Sequence, residues 1–99
     1  MGGRRIIVRQ SVADTIAAIA WFIESKGMVA TAEKFADEAY DYFLKLADAK
    51  KSYAICREPK RAFLGYKCVP YKKKYTIAFI ENNQELIFCE FISTKLVTW

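Results

Sequence analysis

The sequence has no histidine, only four glycines and two prolines, and three cysteines. Without histidine, and with Cys56, Cys68 and Cys89 far apart, the ligand spacing of a zinc site is absent. An odd set of isolated cysteines reads as buried thiols in a reducing cytosol. Little Gly and Pro beside 54% hydrophobic and 27% charged residues excludes a disordered or low-complexity chain. No apolar run reaches the ~18 residues of a membrane span, and "MGGRRIIVRQ" has no long apolar core that would direct secretion. The expectation is a cytoplasmic protein with no membrane segment, metal or cofactor.

What remains is chain enough for one domain over residues 1–99, which on folding removes roughly two thirds of its unfolded surface from water. Neither a disulfide nor a metal is required for stability. Net charge is +5, but it is segregated. Residues 51–75 hold Lys51, Arg57, Lys60, Arg61, Lys67, Lys72, Lys73 and Lys74 against Glu58 alone, so this stretch carries +7 and the rest −2. Such a local field attracts nucleic acid, a phosphate-rich site or an acidic protein.

Periodicity orders the chain. "RRIIVRQ" is short and β-branched, which predicts a strand from about Arg5 to Arg9. Ser11 and Asp14 form an acidic capping pattern, and Val12, Ile16, Ile19, Ala20 and Ile23 make one helical face ending near Lys26 and Gly27. Thr31 is placed to cap a second helix to about Asp48, with Ala32, Phe35, Ala36, Ala39, Phe43 and Leu46 on one side. Alanines on both helices allow close approach, so a helical hairpin fills nearly half the chain. From Ala62 the period becomes that of strands: "AFLGYKCV", "YTIAFIE" and "ELIFCEFI". Asn82-Asn83 suits a two-residue turn that would set Glu81 opposite Gln84, Phe79 opposite Leu86, Ile77 opposite Phe88 and Tyr75 opposite Glu90. The fold class is α+β, in the order β-α-α-β-β-β, with an antiparallel sheet packed under the helical hairpin. Both faces of the last hairpin are apolar. The helices cover one, and the other calls for a protein partner.

The stretches "VRQSVADTIAAIAWFIESKGMVATAEKFADEAYDYFLKLA" and "FLGYKCVPYKKKYTIAFIENNQELIFCEFISTK" resemble the RelE/ParE superfamily of toxins from type II toxin-antitoxin systems. The likeness rests on an ordered set rather than one motif: the first strand, Ser11 with Ala13-Asp14, "WFI", "AEKF" and the three-strand finish. It implies a cytoplasmic growth-arresting toxin, held in a hetero-oligomer by a cognate antitoxin whose segment wraps around it. RelE-like relatives cut messenger RNA on the ribosome, whereas ParE-like relatives poison DNA gyrase without being nucleases. The long hairpin leans towards the second group. Lys95 stands where many relatives carry an arginine, and with no histidine present this departure weighs against ribonuclease chemistry.

Cleavage through the 2′-hydroxyl needs a base, an acid and positive charge on the phosphorane. Arg57, Lys60, Arg61 and Lys95 are the candidate cations, and Tyr71 or Glu90 the candidate proton carriers. An unperturbed lysine or tyrosine has a pKa near ~10, so either requires a strong shift to act as a base at neutral pH. Arg61, Lys67, Lys72, Lys73, Lys74 and Lys95 form the candidate target-binding set, with Tyr71 and Tyr75 available for stacking. The ordinary reading of the triple lysine is protection of a sheet edge. For Arg57, Lys60 and Arg61 it is a solvated basic turn fixed by Pro59. Trp21 and Phe22, near the hairpin tip, either pack on the second helix or join Tyr75 and Trp99 in contacting a partner.

Overall fold

A computed structural model describes residues 4–48 and 52–97. The elements run β1 (Arg5–Val8), α1 (Gln10–Ser25), α2 (Val29–Asp48), α3 (Pro59–Phe63), β2 (Lys67–Tyr71), β3 (Tyr75–Glu81) and β4 (Glu85–Ser93), with a 3-10 turn at Thr94–Leu96. This is the expected α+β order with one short helix added. Among the described residues no helix is long and apolar enough to cross a membrane.

The four strands lie in the order β1-β4-β3-β2. β2, β3 and β4 are antiparallel, but β1 runs parallel to β4, so the sheet is mixed rather than wholly antiparallel. Alternating hydrophobicity reports which side chains point inward and not the direction of the neighbouring strand. The inward side chains of β1, Ile6 and Val8, join the core beneath the helices.

Both helices start earlier than their capping patterns suggest. α1 is entered from Arg9 with no side-chain cap, and Ser11 lies inside it, its carbonyl accepting the Thr15 hydroxyl at 2.9 Å. α2 starts at Val29, so Thr31 is already helical, and the Ala32 N–H reaches the Met28 carbonyl at 3.0 Å. Only residues 26–28 separate the helices, and Gly27 turns the chain there with φ +83°, a conformation that costs glycine little.

The core is a column of aromatic rings. Phe43 of α2 stacks on Phe88 of β4 with centroids 4.1 Å apart, Phe88 meets Phe79 at 5.4 Å, and Tyr53 meets Phe79 edge-on at 5.4 Å. Val12 and Ile16 of α1, and Ile77, Leu86 and Phe91 of the sheet, close around it.

The β3–β4 register differs from that of a turn centred on Asn82-Asn83. The Asn82 side-chain oxygen accepts the N–H groups of Gln84 and Glu85 at 2.9 and 2.8 Å, which moves the turn centre one residue on. Glu81 therefore faces Leu86, Ile80 faces Ile87 and Phe79 faces Phe88. A bulge between Ala78 and Phe79 then leaves Cys89 unpaired, so that Ala78 faces Glu90, Ile77 faces Phe91 and Tyr75 faces Ser93.

The cysteines also depart from expectation. Cys56 and Cys68 are joined by a disulfide, their Cα atoms 4.8 Å apart, and only Cys89 is a buried thiol. Burial pushes the Cys89 pKa up, so this thiol resists ionisation. The bridge is possible because residues 54–56 return along β2: the Cys56 N–H donates to the Tyr66 carbonyl at 2.9 Å, and Ile55 bridges Lys67. The start of this strap is held by Glu81. Its carboxylate takes the Arg4 guanidinium at 2.7 Å and the Tyr53 N–H at 3.2 Å, with Lys67 at 3.8 Å. Burial raises the Glu81 pKa, but these donors outweigh it and hold the carboxyl below its usual range.

With a sequence separation of 12 between its ends, the bridge limits the unfolded chain modestly. Replacing Cys56 and Cys68 by Ser is expected to lower the unfolding free energy by about 2–3 kcal/mol, read from urea unfolding. Thiol titration of the denatured, unreduced chain is expected to find Cys89 alone. Three reactive thiols would show that the bridge does not form.

Candidate functional site

Because side chains alternate along a strand, the burial of Leu86, Phe88 and Phe91 under the helices turns Ile87 and Glu90 to the opposite face. Ile87 pairs with Ile7 on one side and Ile80 on the other, giving an apolar row across three strands on the uncovered face. Farther along, α3 comes over this face. Its sequence explains it: Pro59 occupies the first turn, where its missing N–H costs nothing, and Gly65 ends the segment at φ +78°.

This short helix aims Arg61 at the sheet. The Arg61 Nε donates to Glu90, and its terminal nitrogen donates to Glu58. Hydrogen bonding to Glu90 is the main reason the Arg61 pKa is raised. Desolvation opposes it and Glu58 adds to it. Around the cluster Pro59, Lys60, Phe63, Leu64 and Leu96 line a groove of about 780 Å³. Phe63 is 90% exposed and Leu96 73%. Large side chains so placed form an apolar rim over a neutralised polar floor. That arrangement suits an apolar anchor from another chain and not a free anion.

A second concavity lies at the triple lysine. The Lys74 N–H donates to the Tyr71 carbonyl at 3.2 Å, closing a turn with Lys72 (φ +52°) and Lys73 (φ +62°) at its centre. Two left-handed central residues make the hairpin turn that normally selects Asn-Gly. Lys72 leaves the turn to pair with Glu38 of α2, which raises the lysine's pKa and lowers the carboxylate's. Lys73, Lys74, Tyr75, Ser93, Thr94 and Lys95 line about 520 Å³ beside it. The Thr94 N–H donates to the Lys74 carbonyl at 2.8 Å, and the Thr76 and Thr94 hydroxyls meet at 3.1 Å, which fixes Lys95 next to the turn.

The candidate residues thus divide among separate places. Arg61 and Lys60 lie in the groove, whereas Lys95 lies in the second concavity. Arg57 is exposed, and Lys67 is drawn to Glu81. Tyr71 is 5% exposed beneath α2, its ring 4.9 Å from that of Tyr42 and its hydroxyl unpartnered, and burial raises its pKa. Its ring and hydroxyl are withdrawn from the basic surface. Tyr75 packs on Phe91 at 5.0 Å and Phe35 at 6.0 Å, and its half-buried side chain also lines the concavity beside Lys73 and Lys74, apart from the buried Tyr71.

Trp21 and Phe22 do not pack on α2. They are 69% and 56% exposed at the hairpin tip, with the Lys26 ammonium 4.4 Å from the Phe22 ring centre, and Met28 and Val29 are exposed nearby. Trp99 lies outside the described residues. Sequence reasoning missed Glu58, Phe63, Leu64 and Leu96, having read "AFLGYKCV" as strand. The pairing of Pro59 with Gly65 around "KRAF" was the signal for a helix.

Comparison with protein-family models and with curated proteins finds no match for this chain.

Proposed function

We propose that this protein is the toxin of a type II toxin-antitoxin module, and that it acts by binding a target such as DNA gyrase rather than by side-chain catalysis. The observation that supports this reading above others is the groove: Phe63, Leu64 and Leu96 surround an Arg61 already engaged by two carboxylates. A nuclease needs uncompensated positive charge and a base at one phosphate. At the groove the candidate cation Arg61 is neutralised by Glu58 and Glu90, and Tyr71 is buried under α2 on the other face of the sheet. An apolar rim with a satisfied floor is instead how a protein surface receives an anchor side chain. The uncovered Ile7–Ile87–Ile80 row and the Trp21–Phe22 tip offer further apolar contact, enough for an antitoxin to engage the toxin at a place distinct from the groove.

Induced expression in bacteria is the test. The wild type is expected to slow growth and to stall purified gyrase on DNA. Phe63→Asp is expected to abolish both effects while unfolding at the wild-type temperature, because this side chain is 90% exposed. Cleavage of messenger RNA on purified ribosomes by the wild type would replace this reading with a nuclease, and undisturbed growth would remove both.

A further inference from the structure

We infer that Lys73, Lys74 and Lys95 form a binding site for the phosphodiester backbone of a nucleic acid. The site does not depend on the toxin reading, since it uses residues outside the groove and predicts binding whether or not growth is arrested.

Three observations converge. The first is charge that is not neutralised. Arg4, Arg5, Arg61, Lys67 and Lys72 all face carboxylates, whereas among the described residues no ion pair involves Lys73, Lys74 or Lys95. Like charges on a surface repel and are ordinarily dispersed, yet these three share one concavity. The second is backbone conformation. Lys73 is left-handed at φ +62°, which an L residue adopts at a cost that glycine avoids, in a turn type that favours Asn-Gly. Edge protection accounts for lysine in this turn, as at left-handed Lys72; what sets Lys73 apart is that, among the described residues, no carboxylate engages it, which leaves its ammonium open to an anion. The third is the rest of the lining, Tyr75, Ser93 and Thr94: the Ser93 hydroxyl can donate to a phosphate oxygen alongside the ammonium groups, while the Thr94 hydroxyl is engaged with Thr76. The large exposed apolar side chains stand elsewhere, at Phe63 and Leu96 and at the Trp21–Phe22 tip. An acidic protein segment would gain its anchors there and only charge here. A backbone of repeated phosphates needs only what this concavity holds.

Lys72 is excluded because Glu38 holds it. The site is therefore smaller than the triple lysine suggests, and its third cation comes from the far end of the chain.

The test is the salt dependence of binding to a labelled DNA duplex of arbitrary sequence. Each phosphate contact contributes about 0.9 to the slope of log affinity against log salt, so Lys73→Ser/Lys74→Ser/Lys95→Ser is expected to flatten the slope by about 2.7. A control, Lys26→Ser/Lys34→Ser/Lys45→Ser, removes the same charge from the helical hairpin and is expected to change the slope by less than about 1. Lys73→Gly is expected to weaken binding while raising Tm by a few degrees, since it relieves the left-handed turn. Equal flattening by the two triple variants would show a general field and overturn the site. So would a fall in Tm for Lys73→Gly, or binding to polyglutamate or anionic phospholipid vesicles as tight as to the duplex.

Discussion

Phe43→Ala is expected to lower the unfolding free energy by about 3–5 kcal/mol, visible as a large drop in the urea midpoint with little change in the slope. Phe43 is fully buried and sits where the helical hairpin meets the sheet. Its ring stacks on Phe88 at 4.1 Å and meets Tyr40 and Phe91 edge-on at 5.7 and 6.4 Å. Truncation removes the transfer free energy of the ring and leaves a cavity walled by other rings, which cannot collapse without tilting the whole column. A domain of this size has about 5–15 kcal/mol in total, so the variant approaches the limit of folding. Phe63→Ala provides the contrast. That ring is 90% exposed, and its loss is expected to alter stability by less than about 0.5 kcal/mol. A cost below about 1 kcal/mol for Phe43→Ala would mean that the hairpin does not rest on the sheet through this ring.

Period and composition were enough to place α1, α2, β3 and β4, because each is long enough for a face to repeat. Ile16 lies one helical turn after Val12, and Phe43 one after Ala39, and all four are buried as that spacing requires. The parts that were misread are those fixed by partners far along the chain. The direction of β1 depends on β4, nearly the whole chain away. The Cys56–Cys68 bridge depends on a strap returning beside β2, which no cysteine spacing reveals. α3 has five residues, too few for periodicity, and was visible only through Pro59 and Gly65. The candidate site suffered most, since charge counts treat every lysine alike. Glu38 on α2 removes Lys72 from the basic surface, Glu81 draws in Lys67, and Glu58 and Glu90 neutralise Arg61. None of these pairings has a local signature except Glu58 with Arg61, three residues apart on one helical turn.

Arg61→Ala is expected to cost about 3 kcal/mol near neutral pH, because it removes the guanidinium on which the Glu58 and Glu90 carboxylates converge. The side chains of Glu58 and Glu90 are 10% and 33% exposed, so water screens the first poorly and the second only in part. In the wild type the raised Arg61 pKa keeps the guanidinium charged in both the folded and the unfolded state near neutral pH. Arg61→Met with Glu58→Gln and Glu90→Gln is expected to restore most of the loss, since the cluster is then neutral throughout. The same triple variant bears on mechanism. If the groove is a docking surface, growth arrest returns with stability, because Phe63, Leu64 and Leu96 are untouched. If Arg61 were a catalytic cation, arrest would stay lost in a protein that folds as well as the wild type.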